Sequence, residues 1–267
     1  MAGRLRGEID STQVRYGVTA YRVTYRVTYR TSDSAGSPTT ASQLVVLPRS
    51  GARDLPVVSW LHGTTVYRKD VASGNPESND RLVALLLAST GRAVSAPDYV
   101  GLGSGEGFHP YGDPRATVAA SVDGLRAART VAHRNGRELQ RNVQVSGFSQ
   151  GGSATMLVGR ALQQKDTDRY FRLGPSPRSA APTTSPPSRP PQPTTGSGTP
   201  ASTWPTWPPP GTGCTASTPH PAMPSSPPYA GDVEDLFGGY HTTEEIAHAL
   251  PATSEALFTE AFLNSPG

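Results

Sequence analysis

Val143-Gln144-Val145-Ser146-Gly147-Phe148-Ser149-Gln150-Gly151-Gly152-Ser153 is the stretch on which the fold turns. A short alternating β-branched segment runs into G-x-S-x-G, and small residues suited to a helix follow. That order describes a nucleophile elbow, a sharp strand-to-helix turn that holds a serine Oγ exposed above a sheet. The glycines have a steric reason: Gly147 and Gly151 flank a strained residue where a Cβ would collide with the neighbouring strand or helix. A helix starting near Gln150 points its first amides at developing negative charge. The bland alternative for Ser149 is a loop serine in a glycine-rich turn. The strand before it and the helix after it favour the nucleophile.

Working outward, Tyr21, Val23, Tyr25, Val27 and Tyr29 alternate with Arg and Thr, as a half-buried strand does. Ser42 to Leu47 predicts a second strand, antiparallel to the first, and the repeated Tyr-Arg-Val-Thr reads as a local duplication. Leu55 to Trp60 has the pattern of a strand buried on both faces, and His62-Gly63-Thr64-Thr65 follows it directly. Leu82, Leu85 and Leu86 predict a helix over 78–88, with Asp80 in its first turn. A strand over 93–96 then leads into Pro97-Asp98-Tyr99-Val100-Gly101-Leu102-Gly103, a glycine-rich loop. Asp113-Pro114 opens a helix with an acidic cap and proline at its first position, and Val118, Val122, Leu125 and Val131 mark its buried stripe. Strand 143–146, the elbow and a helix to about Gln164 complete the series. Three strand–helix repeats imply a parallel sheet with right-handed crossovers. With the elbow, that is an α/β-hydrolase fold.

In this fold the loop after the strand over 55–60 supplies one oxyanion amide, beside the amide that follows the nucleophile. Here those are the backbone N–H groups of Thr64 and Gln150. His62 precedes Ser149, whereas the fold's triad runs serine, acid, histidine, so its ring is expected to brace the loop.

Composition narrows the rest. A chain of 267 residues accommodates one α/β domain, or a core with an inserted cap. The net charge of +3 comes with no basic patch, so no nucleic-acid partner is expected. Lys69 and Lys165 are the only lysines among 24 cationic residues; with abundant Ala, Gly and Pro, this suggests a GC-rich gene. The single Cys214 excludes an internal disulfide. No apolar run follows Arg4 and Arg6, so no signal peptide is expected, and no stretch is long enough to span a membrane. No cofactor or metal is implied.

His62-Gly63-Thr64, Ala96-Pro97-Asp98-Tyr99-Val100-Gly101-Leu102-Gly103, His109-Pro110-Tyr111 and Gly147-Phe148-Ser149-Gln150-Gly151-Gly152 together resemble the secretory lipase family of fungi and actinobacteria. The resemblance spans residues 17–173 and returns over 229–263. It implies an α/β-hydrolase core with a helical cap, cleaving carboxylic esters of lipids by a Ser-Asp-His mechanism, with contact to a lipid interface. It also implies secretion, which leaves localisation open here. Asp98, Tyr99 and His109 match family positions and are expected to brace the rim of the site.

Residues 174–228 break the pattern. They contain no Val, Ile, Leu, Phe, Tyr, Asp or Glu, and they hold 18 of the chain's 27 prolines. Such a segment cannot bury enough apolar surface to offset its ordering entropy and is expected to be disordered. A Pro/Ser/Thr-rich linker or stalk is one reading. A reading-frame slip is the better one. If each true codon joins the last base of one codon to the first two of the next, Thr stands for Tyr, His, Asn or Asp, and Trp for Leu, Val or Met. Thr203 to Cys214 then becomes compatible with Tyr-Leu-Ala-Tyr-Leu-Ala-Ala-Ala-Trp-Asn-Arg-Val, an amphipathic cap helix. Three regions follow: a hydrolase core with the elbow over 1–173, the anomalous segment over 174–228, and a cap-helix remnant over 229–267. In the last, Thr242 to Glu245 fits a capping box, and Ser254 to Leu263 predicts a further helix.

A serine needs an oriented histidine to take its proton. After Ser149 the histidines are His220, within the anomalous segment, and His241 and His248, beside or on a cap helix. Asp232 and Asp235 read as helix-start charges. The strands that would carry acid and base are not found, so the triad Asp and His are expected to be absent from this chain and the fold incomplete at its C-terminus. Two other classes stay open: a peptidase or polyester-cleaving esterase on the same fold, and a non-catalytic surface protein with a Pro-rich stalk.

Overall fold

The computed structural model describes residues 17–21, 29–164, 166–174 and 232–257. The elements are β1 (Val18–Tyr21), β2 (Tyr29–Ser32), β3 (Pro38–Pro48), β4 (Asp54–Leu61), α1 (Asn79–Ser89), β5 (Ala93–Val100), α2 (Pro114–Arg134), β6 (Glu138–Gly147), α3 (Gln150–Gln163) and β7 (Arg172–Leu173), then the short helices α4 (Val233–Leu236), α5 (Thr243–Ala249) and α6 (Ser254–Leu257). The described residues fall in two compact units. One holds residues 17–174 and 237–243, the other 232–236 and 244–257.

The first unit is a mixed sheet in the order β1-β3-β5-β4-β6-β7, with β2 also on β3. β1, β2 and β5 run antiparallel to β3, whereas β5, β4, β6 and β7 are mutually parallel. The expected α/β-hydrolase architecture is therefore present, antiparallel start included. Tyr21 closes β1 and Tyr29 opens β2; the alternating residues between them lie outside the described residues, as does the whole anomalous segment from 175 onward.

One sequence expectation needs correction. β5 does not end at Ala96: its backbone stays paired with β3 as far as Ala41 opposite Val100, across a bulge between Ala41 and Gln43. The glycine-rich loop therefore begins at Gly101, and Asp98, Tyr99 and Val100 belong to the buried end of a strand. In α1, the buried face is Ala84, Ala88 and Ser89, with Leu82, Leu85 and Leu86 half-buried. Small residues let the helix lie close to the sheet, and the leucines cover its flanks.

The caps form as the sequence implies. Ser78 Oγ accepts from the Arg81 N–H, and the Asp113 carboxylate accepts from the Ala116 N–H with proline opening the helix. Val122 and Leu125 on α2 sink into a core with Leu55, Val57, Leu61, Val143, Val158 and Leu162, while Val118 and Val131 pack against its margin. A fully buried leucine of this kind contributes about 2 kcal/mol. Polar ties set the helix on the sheet. The Gln43 side-chain N–H donates to the Gly124 carbonyl at 2.8 Å, and the Tyr29 hydroxyl to the Ala120 carbonyl at 2.8 Å. Among the described residues no helix is long and apolar enough to cross a membrane.

Candidate active site

Leu61 and Gly147 end two adjacent parallel strands in register, so the loops after β4 and β6 leave the same edge of the sheet side by side. After Gly147 the chain turns in two residues and becomes α3. Ser149 sits at the turn with φ 52° and ψ −116°, a conformation that costs a non-glycine residue about 1–3 kcal/mol. The helix start holds it there: the Gly151 N–H donates to the Phe148 carbonyl at 2.7 Å and the Gly152 N–H to the Ser149 carbonyl at 2.8 Å. A Cβ on Gly147 would lie 2.3 Å from the Gly151 carbonyl oxygen, and one on Gly151 would lie 1.9 Å from that of Leu61. The elbow is therefore as tight as the sequence requires. Ser149 is exposed, and its Oγ makes no hydrogen bond with any described residue.

The loop after β4 lies against the serine. A Cβ placed on Gly63 would be 3.5 Å from the Ser149 Cβ, and Thr64 is the next residue. His62 is buried under this loop, with Nδ1 2.7 Å from the Gly63 carbonyl oxygen and Nε2 3.1 Å from that of Asp98. Its ring binds backbone on both sides, which is the bracing role expected for it.

Tyr99 is buried with φ 67° and donates its hydroxyl to the His62 carbonyl at 3.3 Å. Burial pushes its phenol well above the usual tyrosine range. Rings stack outward from it: His62 to Tyr99 at 4.3 Å between centroids, Tyr99 to His109 at 5.9 Å, His109 to Tyr111 edge-on at 6.1 Å. His109 Nδ1–H donates to the Val100 carbonyl at 2.9 Å; its Nε2 meets the Gln150 side-chain amide at 3.1 Å. Burial lowers the His109 pKa, partly opposed by the Val100 bond.

Asp98 is wholly buried. Its Oδ2 accepts from the Ser42 hydroxyl at 2.6 Å and from the Ser73 hydroxyl, and its Oδ1 accepts from the Ser73 N–H at 3.3 Å. Burial raises its pKa, and these donors only partly offset that. Ser42 and Ser73 carried no signal in the sequence, since they lie 56 and 25 residues from Asp98. Asp98→Ala is expected to destabilise the protein by about 3 kcal/mol or more, because it strands two hydroxyls and an amide. Asp98→Asn keeps an acceptor and loses much less. The folded pKa lies above the unfolded one, so the folded state binds the extra proton. This site therefore adds stability as pH falls through the raised folded pKa toward the ordinary carboxylate value of about 4. Urea melts should show that gain in the parent and a flatter profile in Asp98→Asn.

Residues 237–243 return to the first unit. The Arg68 N–H donates to the Gly239 carbonyl at 2.9 Å, and its guanidinium donates to the Tyr240 hydroxyl at 2.7 Å. These two bonds tie the segment just before His241 to the loop after β4. His248 lies on α5, and Asp232 and Asp235 beside or on α4, in short helices rather than at strand ends. His220 lies outside the described residues. Among the described residues no group of three His, Cys, Asp or Glu could hold a metal.

A mixed sheet with a parallel β5-β4-β6-β7 half, a strained serine between β6 and α3, and the β4 loop packed against that serine define an α/β-hydrolase fold. The family comparison agrees: residues 71–165 match the secretory lipase family, so the resemblance read from the motifs is borne out over that span. Among solved structures, the chain is similar to a protein of Legionella pneumophila described as a hydrolase, with 25% identity and a TM-score of 0.62 over 88% of this chain and 63% of that one. It is also similar in fold to a ligand-bound form of the rice cell wall degrading esterase LipA from Xanthomonas oryzae, with 21% identity and a TM-score of 0.61 over 88% of this chain and 64% of that one. The chain thus spans less than two thirds of the length of these proteins. No curated protein matches it.

Proposed function

We propose that this chain carries the nucleophile half of a secretory-lipase-type serine ester hydrolase, with Ser149 as nucleophile and the amides of Thr64 and Gln150 as the oxyanion hole. The observation that carries the reading is the backbone of Ser149, a strained non-glycine residue with an exposed hydroxyl where β6 meets α3. Such strain persists only where the surrounding structure enforces it, and it aims Oγ away from the sheet. The family match over 71–165 and the likeness to a hydrolase support ester chemistry.

In this reading Ser149 Oγ attacks the ester carbonyl carbon and gives its proton to a general base. The carbonyl oxygen takes the negative charge between the two amides. Collapse expels the alcohol, which takes that proton, and water then hydrolyses the acyl-enzyme by the same steps. No described residue hydrogen-bonds Ser149 Oγ, which supports a base and acid outside the described residues. The substrates are small-molecule or lipid esters of carboxylic acids, and the helices over 232–257 are the remnant of a cap.

The test compares two proteins: the 267-residue chain, and the full-length product of the native locus with codons 174–228 read in the restored frame. A fluorophosphonate probe is expected to label the second at one site, with the adduct mapped to Ser149 by mass spectrometry. The first should hydrolyse p-nitrophenyl esters only at the level left by oxyanion binding, about 10³–10⁴-fold over water. An adduct on another residue of the restored protein overturns the nucleophile assignment. Equal turnover by the two proteins overturns the absence of the base, with His241 then the first candidate.

A further inference from the structure

The loop after β5 touches both halves of the oxyanion hole. A Cβ on Gly101 would lie 2.3 Å from the His109 backbone nitrogen and 2.3 Å from the Phe108 carbonyl carbon, so the bare glycine lets residues 108–111 fold back onto the end of β5. From there His109 reaches the Gln150 side chain at 3.1 Å, and the Tyr111 hydroxyl lies 2.9 Å from Thr64 Oγ1. Gln150 and Thr64 are the residues whose amides form the oxyanion hole in the reading above.

The hydrogen-bond logic at His109 has one solution. The Val100 carbonyl can only accept, so Nδ1 carries the proton and Nε2 is a bare acceptor in the neutral ring. The Gln150 NH₂ must then be the group facing Nε2, which fixes the sense of that amide. Its Oε1 is buried and has no hydrogen-bond partner among the described residues, so among them His109 is what fixes the Gln150 side chain. Tyr111 is exposed, yet its ring packs edge-on against His109, which directs its hydroxyl to Thr64.

We propose that His109 and Tyr111 are positioning residues that set the two oxyanion donors from a single loop: His109 Nε2 holds Gln150 beside Ser149, and the Tyr111 hydroxyl holds Thr64 across from it. Neither touches the reacting atoms. The inference rests on the oxyanion assignment of Thr64 and Gln150. It goes further, because it makes the separation of the two amides depend on the register of residues 109–111. A donor held slightly out of place loses part of the transition-state stabilisation while ground-state binding persists.

The experiment uses the frame-restored protein and two double-mutant cycles, His109→Asn with Gln150→Met, and Tyr111→Phe with Thr64→Val. Asn keeps a donor for Val100, Phe keeps the ring, and Met and Val leave the backbone amides in place. Each single substitution is expected to lower kcat about five- to tenfold, the worth of one hydrogen bond, with KM changed less than about twofold. Within each cycle the double variant should be no slower than its slower single. Nitrogen–proton correlation spectra of the 267-residue chain should show His109 as the Nδ1–H tautomer, and Gln150→Met should shift its Nε2 resonance. Multiplying effects within a cycle, losses confined to KM or to the melting temperature, or the Nε2–H tautomer would each overturn the brace. Ser149→Ala run in parallel separates the two failures: turnover that survives it sinks the site assignment, whereas its loss with unaffected brace variants sinks the brace alone.

Discussion

Ser149→Ala is expected to lower ester turnover of the frame-restored protein by about a millionfold in kcat, the scale seen when a serine hydrolase loses its nucleophile. KM should change little, because the amides of Thr64 and Gln150 and the rest of the site stay in place. Stability should hardly move, since alanine keeps the Cβ and the Ser149 hydroxyl makes no hydrogen bond with a described residue. Ser149→Gly separates chemistry from strain. It is equally inactive, but glycine accepts φ 52° without the steric cost. Set against its own entropic cost of about 0.5–1 kcal/mol, relief of about 1–3 kcal/mol leaves a net gain near 1 kcal/mol. Urea unfolding of the two variants measures the difference. Turnover retained in both, or equal stability of both, would contradict a strained nucleophile at this turn.

Gly151→Ala should have the largest effect on folding. The new Cβ would sit 1.9 Å from the Leu61 carbonyl oxygen, 2.6 Å from the Leu61 carbonyl carbon and 2.8 Å from the His62 carbonyl oxygen. All three are backbone atoms at the end of β4, so no side chain can rotate aside. Either α3 lifts off the sheet or β4 shifts and takes the His62 loop with it. A loss on the order of 4 kcal/mol or more is expected, enough to unfold a marginal domain. Gly152→Ala is the control: the same helix, the next residue, and nothing within 4 Å of its Cβ. There alanine's better helix propensity should leave stability unchanged or raise it by up to about 1 kcal/mol. Circular dichroism melts of the two variants give the comparison, and similar melting temperatures would show that the elbow is looser than described.

Much of this architecture was legible in the chain because it depends on local periodicity. The apolar run at 55–60, the Asp113-Pro114 cap and the elbow glycines each state their structure within a few residues, and all three form where expected. Legibility failed where pairing partners are distant. The extension of β5 through Tyr99 and Val100 is set by β3, more than 50 residues earlier, and neither Pro97 nor the flanking glycines betray it. The alanine face of α1 was hidden by its more conspicuous leucines, because helix-to-sheet distance is not a property of the helix alone.

The same division runs through the site. The sequence by itself determined that a serine sits at a strand-to-helix turn, that a His-Gly-Thr loop follows a buried strand, and that His109, Pro110 and Tyr111 belong to the same set of motifs. Only the tertiary structure decided that Asp98 is buried under Ser42 and Ser73, and that Gly63 lies against Ser149. It also decided that one loop reaches Gln150 and Thr64 together. The physical reason is that a tight strand-to-helix turn is a local steric solution, which a handful of consecutive residues must encode. Its surroundings are long-range hydrogen bonds among ordinary polar side chains, and those acquire partners only when the strands are laid side by side.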